Sequence, residues 1–347
     1  MGLLPSRAPA VSSATWLANS KEKPAGGDEN MPIRARCDEN LLQIRRGGRS
    51  VDSSTVSDEM TRIRLDVSYD GTAFNGWSTQ PGLRTVEGEL TRALEITLQR
   101  YLPAPRLIVA GRTDTGVHAI GQVVHLDLTP EQFAFLSVAH RNRTKYPPYP
   151  PAMRLGRRIN GLAGAEGDLH VTDATIVPRT FDARYSALWR EYEYRVSDLS
   201  GPRHPIRRLD TLWFDATVDV DRMNAAALSL LGLEDWAAYC QQRDGATTIR
   251  TLEAFHWRRD PDGILVARVR ADAFCHSMVR SLVGATLAVG EGRLEVDDVV
   301  RIRDSRARKG QFKVAAANGL TLMHVAYPDE AEFASRAALT RSKREAM

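Results

Sequence analysis

Residues 107–128 read LIVAGRTDTGVHAIGQVVHLDL, and the rest of the chain is best interpreted outward from this stretch. Its start, Leu107–Ala110, is a continuous apolar run, which predicts a buried strand. Its end, Val123–Leu128, alternates in the way that predicts a second strand. Between the two lies a loop in which a pair of glycines brackets Arg112 and Asp114. Because a charge near a core must be paired, we expect this loop to serve a function and not only stability.

The loop contains the triplet Asp114-Thr115-Gly116, which aspartic proteases also carry. Those enzymes need two carboxylates that share one proton, so the chain must contain two such triplets or form a small homodimer. The sequence contains no second triplet of this kind. Nearby arginines would also keep the Asp114 carboxylate ionised, so an aspartic protease is not expected.

The composition is that of a globular protein with a slight excess of positive charge. Lys and Arg number 47 against 43 Asp and Glu in 347 residues, which weakly favours a polyanionic partner. No apolar run reaches the ~18 residues of a membrane span, so no membrane association is predicted. The histidines show no metal-like spacing, and no phosphate-binding glycine loop occurs. The sequence therefore predicts neither a metalloenzyme nor a nucleotide hydrolase.

The chain has three cysteines, Cys37, Cys240 and Cys275, which are odd in number and far apart in sequence. They match neither a disulfide framework nor a zinc site. We therefore expect a reducing, cytoplasmic location for the protein.

The hydrophobic pattern predicts two α+β domains between two tails. Residues 1–60 lack periodicity and predict a disordered tail. Residues 61–167 and 168–328 each combine strands with helices and predict similar domains, with mixed, mainly antiparallel sheets. We expect these sheets to join into one central sheet flanked by helices, with the active-site cleft between the domains. Residues 329–347 predict a polar tail.

Two segments of the chain permit more than one interpretation. Met31 or Met60 is a possible true start, in which case residues 1–59 would be dispensable. The segment at about 137–158 has no acidic residue and is rich in proline and basic residues, which predicts an extended loop inserted in the first domain. It is either a solvated linker or a loop that contacts phosphates.

Within the domains, periodicity predicts the main helices and strands. Alternation over Thr61–Tyr69 predicts a strand, and helical spacing over Thr85–Gln99 predicts a helix. In the second domain the predicted elements are a strand over Trp189–Val196, a helix over Asp221–Leu231, a hairpin of Thr248–Trp257 with Ile264–Ala271, and a buried helix over Cys275–Val289 that carries Arg280.

Six motifs in order resemble the tRNA pseudouridine synthase A family and cover nearly all of the chain outside the tails. They are Tyr69–Trp77 (YDGTAFNGW), Gly111–Ala119 (GRTDTGVHA), Phe181–Ser186 (FDARYS), Arg190–Tyr194 (REYEY), Ala273–Arg280 (AFCHSMVR) and Asn318–Leu320 (NGL). The resemblance implies an isomerase that converts uridine to pseudouridine at positions 38, 39 and 40 of the tRNA anticodon stem-loop. It also implies that no cofactor is used and that a homodimer binds the tRNA.

By the same resemblance, Asp114 is the catalytic aspartate, and Arg280 pairs with it. Tyr192 would stack on the target base and take part in proton transfer, while Arg112 would open the site and hold RNA. The uridine must be flipped out of its helix into a pocket with apolar walls such as Phe274.

The residues themselves leave other interpretations open. Tyr192 and Phe274 could be core aromatics, Arg280 a structural ion-pair partner, and Arg112 a surface charge. Two other functions also remain: a synthase of the same family with a different RNA target, and a non-catalytic RNA-binding protein.

Overall fold

A ten-stranded mixed sheet is the framework of the computed structural model, which describes residues 59–138, 149–164, 166–241, 247–307 and 310–342. The strands are β1 (Thr61–Tyr69), β2 (Ile108–Val109), β3 (His118–Leu128), β4 (Leu169–Ile176), β5 (Trp189–Ser197), β6 (Leu212–Trp213), β7 (Gly232–Asp235), β8 (Ile249–Arg259), β9 (Leu265–Ala271) and β10 (Leu320–Ala326). The helices in these ranges are α1 (Val86–Thr97), α2 (Pro130–Ser137), α3 (Pro151–Ala163), α4 (Val220–Ser229), α5 (Met278–Gly290), α6 (Asp298–Asp304) and α7 (Phe333–Arg341).

The strands follow the order β4-β1-β3-β10-β5-β9-β8-β7, with β2 paired to β3 and β6 to β5. The pairs β3–β10 and β5–β6 are parallel, and the other described pairs are antiparallel. The last strand in sequence, β10, lies between β3 and β5 and joins the two parts of the sheet. The predicted α+β class with one mainly antiparallel central sheet is thus confirmed, while the domain limits at 61–167 and 168–328 remain a prediction.

The strand β1 forms as its alternation predicts, because one face is apolar and the other charged. Ile63, Leu65 and Val67 are buried, and β1 pairs antiparallel with β3 in the register Ile63↔Leu126 and Leu65↔Val124. Helix α1 begins after Thr85, whose side chain accepts a hydrogen bond from the amide of Gly88. The predicted helix over Thr85–Gln99 is therefore confirmed, and the observed helix is slightly shorter at both ends.

The two strands predicted in the stretch 107–128 differ in length from the prediction. The first is reduced to Ile108–Val109, while the second begins earlier, at His118. Strand β10 occupies the edge of β3 at His118, and β2 pairs with the same edge only further along, at Val124 and His125. The loop that contains Asp114 therefore connects two strands that pair with each other.

Helix α5 lies in the core, as predicted. Every residue of Met278–Gly290 is buried except Arg280, which is half-buried. The predicted hairpin is also present as the antiparallel pair β8–β9. None of the helices in the described ranges has the length and apolar composition needed to cross a membrane.

Two segments for which no helix was predicted contain one. Part of the predicted insertion at 137–158 belongs to α3, which begins at Pro151, because proline is tolerated in a first helical turn and apolar residues follow at helical spacing. Residues 139–148 of that insertion lie outside the described residues. The predicted polar tail contains α7, anchored by Phe333, whose ring packs against Phe181 with centroids 5.1 Å apart.

The expectation that the cysteines do not pair was wrong for two of them. Cys240 and Cys275 form a disulfide, with their Cα atoms 5.8 Å apart and 35 positions apart in sequence. Sequence distance misled the prediction, because the turn after Ala237–Tyr239 lies against the segment that leads into α5. Cys37 and the predicted N-terminal tail lie outside the described residues.

Candidate active site

The loop that carries Asp114 is fixed by backbone contacts with the segment after β1. The amide of Trp77 donates to the carbonyl of Thr113 at 3.0 Å, and the amide of Gly116 donates to the carbonyl of Phe74 at 3.3 Å. Gly76 has φ +82°, and a Cβ there would lie 3.0 Å from the Thr113 oxygen. The motif Tyr69–Trp77 thus supports the loop, and glycine at position 76 is required by both conformation and close approach.

A buried polar cluster holds the part of the loop that precedes Asp114. The Tyr69 hydroxyl and the Thr113 hydroxyl are 2.8 Å apart, and the side-chain amide of Gln122 donates to the Tyr69 oxygen at 3.2 Å. The same amide donates to the carbonyl of Gly111 at 2.8 Å. Burial raises the pKa of Tyr69 to about 12, so its hydroxyl is protonated at neutral pH. The cluster therefore fixes the loop without introducing another charge.

Three side chains from the segment before and within α5 surround the carboxylate of Asp114, which is 25% exposed. Arg280 Nη1 lies 3.6 Å from Oδ2, and the Ser277 hydroxyl donates to Oδ2 at 3.3 Å. His276 Nε2 lies 3.3 Å from Oδ1. Arg280 is itself oriented, since its Nε donates to the carbonyl of Ala315 at 2.7 Å. The predicted pairing of Arg280 with Asp114 is present in the structure.

Tyr192 and Phe274 form an aromatic wall beside the carboxylate. Their rings meet edge to face, with centroids 5.2 Å apart and an interplanar angle of 87°. Tyr192 is buried, and this burial, followed by the neighbouring Tyr69 and Asp114, raises the pKa of its hydroxyl. The hydroxyl is therefore protonated at neutral pH, and Asp114 is close enough for its charge to contribute to the raised pKa.

Arg190, from the same strand as Tyr192, ties two parts of the site together. Its guanidinium is buried and donates to the carbonyls of Asp272 at 2.7 Å, Ala110 at 3.0 Å and Arg184 at 2.7 Å. Ala110 immediately precedes the loop that carries Asp114, and Asp272 immediately precedes the segment with Phe274. One buried side chain thus holds the two backbone segments that lead to Asp114 and to Phe274.

Arg112 does not join the cluster around Asp114. Its side chain is exposed and makes no ion pair within the described residues. It lies two positions from the carboxylate along the loop, where a free guanidinium can meet a phosphate without breaking an existing contact. Of the five candidate residues predicted from the sequence, Asp114, Arg280, Tyr192 and Phe274 lie in this site, and Arg112 lies on the exposed part of the loop.

The sequence reasoning missed His276 and Ser277, although both fall inside the motif Ala273–Arg280. Their contacts with Asp114 depend on the backbone turn before α5, which hydrophobic periodicity does not reveal. No cluster of three His, Cys, Asp or Glu side chains in the described ranges is arranged to hold a metal ion.

Comparisons with known proteins indicate the family of the chain. A family model described as tRNA pseudouridine synthase matches residues 226–328. A tRNA pseudouridine synthase A of Leifsonia xyli subsp. xyli is 53% identical over 83% of this chain and 99% of its own length. Proteins of the same name from Frankia casuarinae and Cutibacterium acnes are 47% and 46% identical, over 83% and 82% of this chain and 97% and 95% of their own lengths.

Proposed function

The chain belongs to the tRNA pseudouridine synthase A family, isomerases that convert uridine in tRNA to pseudouridine, and we propose that it acts at positions 38, 39 and 40 of the anticodon stem-loop. We further propose Asp114 as its catalytic residue. The observation that carries this assignment is the Asp114 carboxylate, paired with Arg280 and bordered by the aromatic wall of Tyr192 and Phe274.

The reaction is a rearrangement that needs an ionised carboxylate and no added atoms. The bond between uracil N1 and ribose C1′ breaks, the base rotates, and a bond from C5 to C1′ forms. C5 then loses its hydrogen as a proton, and N1 gains one. Asp114 can start this sequence by attacking the sugar, by attacking the base or by removing a sugar proton. In each case the guanidinium of Arg280 complements the charge of the carboxylate.

Tyr192 and Phe274 supply the surface that receives the flipped base. A uridine in a helix is out of reach of a carboxylate, so the enzyme must extrude it and stack it against aromatic or apolar side chains. The hydroxyl of Tyr192 remains protonated because burial raises its pKa, so it can donate a proton to the detached base. Arg112, exposed and unpaired among the described residues, is assigned to the RNA backbone.

With the Cys240–Cys275 pair present, the cysteines no longer support a reducing location. We assign the protein to the cytoplasm because its relatives are tRNA-modifying enzymes, and we assign it a homodimeric state in which one tRNA contacts both subunits. Sedimentation of the protein with and without tRNA tests the second assignment. A monomer that retains full activity at all concentrations would contradict it.

The assignment of Asp114 is tested by Asp114→Asn with tRNA labelled by tritium at uracil C5, because isomerisation releases that hydrogen to water. We expect tritium release to be abolished and tRNA binding to persist. Asp173→Asn is the matched control, since Asp173 is exposed on the edge strand β4, and it should retain full activity. Full activity of Asp114→Asn would refute the assignment.

The target positions need a separate measurement. Substrate tRNAs in which each uridine at 38, 39 and 40 is replaced in turn by cytidine should lose pseudouridine at the replaced position only. Release of tritium from a tRNA that lacks all three uridines would favour a family member with a different RNA target.

A further inference from the structure

Ser277, the residue before helix α5, has a backbone conformation that serine rarely adopts. Its φ is 63° and its ψ is 9°, which is the left-handed region. Among the described residues only Ser277 and Arg306 combine a side chain with a positive φ. This conformation costs free energy in any residue with a Cβ, and such strain persists where the surrounding structure enforces it.

The side chain of Ser277 does not act as a helix cap. A serine in this position usually accepts a hydrogen bond from an amide of the first turn, but Ser277 makes no such bond. Its hydroxyl instead donates to Oδ2 of Asp114 at 3.3 Å. The serine therefore gives up a stabilising contact, adopts a strained backbone and contacts a carboxylate on a distant part of the chain.

The residue before it contacts the other oxygen of the same carboxylate. His276 Nε2 lies 3.3 Å from Oδ1, so two consecutive side chains reach both oxygens of Asp114. The turn is held on both sides, because the amide of Gln241 donates to the carbonyl of His276 at 3.0 Å and the amide of Ser281 donates to that of Ser277 at 3.0 Å. These contacts enforce the left-handed turn.

We propose that the turn at His276 and Ser277 is a positioning device that sets the rotation of the Asp114 carboxylate. Arg280 supplies charge from one side at 3.6 Å, but a single contact leaves the carboxylate free to rotate about its Cβ–Cγ bond. Contacts to both oxygens remove that freedom, so the attacking or accepting oxygen faces the position of the flipped uridine. His276 and Ser277 are thus positioning residues, and this inference rests on the proposed catalytic role of Asp114.

The variant Ser277→Gly separates the effect of Ser277 on the carboxylate from its effect on the stability of the protein. Glycine adopts the left-handed region without strain but cannot hold the carboxylate. We expect a melting temperature at least equal to that of the wild type, a kcat lowered about 10- to 100-fold and an unchanged KM for tRNA. If Ser277 served only the fold, its replacement by glycine would leave kcat unchanged or would change kcat only in step with the melting temperature.

Arg306→Gly is the matched control. Arg306 has φ 50° in an exposed turn after α6, outside the active site, so glycine should relieve its backbone equally and leave kcat unchanged. Ser277→Ala keeps the strained backbone and lacks the hydroxyl, so we expect the same loss of kcat with a lower melting temperature than Ser277→Gly.

The inference is overturned if Ser277→Gly retains the kcat of the wild type while Asp114→Asn is inactive. Activity in Asp114→Asn would instead remove the proposed catalytic role itself. His276→Ala and the double variant His276→Ala/Ser277→Gly provide a second measurement. If both residues hold one carboxylate, the fold-loss of kcat in the double variant should be smaller than the product of the fold-losses in the two single variants. A fold-loss in the double variant equal to that product would show that the two residues act independently, and it would also overturn the inference.

Discussion

A stability measurement at His125 tests the packing of the sheet independently of catalysis. The ring lies on β3 with 4% exposure, and its Nδ1 accepts a hydrogen bond from the amide of Ala183 at 3.0 Å. Nδ1 must therefore be unprotonated in the folded state. Burial, with the nearby Arg62 as the second cause, lowers the pKa of His125 from 6.5 to about 4.

The difference between the two states determines the sign and size of the effect. In the unfolded chain the imidazole gains its proton below pH 6.5, whereas in the folded protein it does so only near pH 4. Between these values the unfolded state binds more protons, so stability falls as the pH falls and the loss is complete below pH 4. At 1.36 kcal/mol for each pKa unit, about 2 kcal/mol is lost between about pH 7.5 and pH 5.

The assay is urea unfolding of the wild type and of His125→Asn at those two pH values. The side-chain oxygen of asparagine can accept the hydrogen bond from Ala183 but does not titrate, so the free energy of unfolding of the variant should fall by about 2 kcal/mol less. His256, whose pKa is also lowered by burial, titrates in both proteins and cancels in the comparison. An identical pH dependence in the two proteins would refute the reasoning.

Further predictions concern the base pocket, close packing and the disulfide. Tyr192→Phe should lower kcat about 10- to 100-fold and leave tRNA affinity unchanged in a filter-binding assay, and an unchanged kcat would exclude its hydroxyl from proton transfer. Gly71→Ala should destabilise the protein by about 1–3 kcal/mol in urea unfolding, because the new Cβ would lie 2.1 Å from a backbone oxygen. Gly161→Ala in α3, where nothing lies within 4 Å, should stabilise it by up to about 1 kcal/mol, and the opposite order of the two variants would contradict this packing. Alkylation without reductant should leave Cys240 and Cys275 unlabelled, and mass spectrometry that found both labelled would contradict the disulfide.

Local periodicity was sufficient to predict the elements that build the site. The alternation in β1 and the apolar run of α5 arise from how each segment buries its own side chains, so the sequence contains the information directly. The same holds for Asp114, whose position between two glycines in a loop after a strand marked it before any contact was known. Its partner Arg280 was predicted from the resemblance to the family, since the helix pattern alone says only that a cation among apolar residues needs some partner.

Contacts between distant segments could not be read in this way. The pairing of Cys240 with Cys275 depends on where a turn lies relative to α5, and no pattern within either segment encodes that position. Arg112 lies apart from the cluster around Asp114, because side chains two positions apart in a loop need not point toward each other. The left-handed turn at Ser277 was invisible because serine has no preference for it.

The helices α3 and α7 show that segment composition is a poor predictor of secondary structure. The proline-rich and basic composition of the first segment predicted a loop, and the second was predicted only to be a polar tail. A few apolar residues at helical spacing are nevertheless enough to hold a helix against the core in both. Composition averages over a segment, whereas packing depends on the individual positions that face the core.

The location of β10 has a consequence for the time at which the enzyme becomes active. Asp114 follows β2 and Tyr192 lies on β5, and in the described sheet these two regions meet through β10, which follows the other nine strands in sequence. Until β10 emerges from the ribosome, β3 and β5 each lack the strand that lies between them, and open strand edges favour aggregation. We expect the growing chain to depend on chaperones during this interval and to gain activity in a single late step.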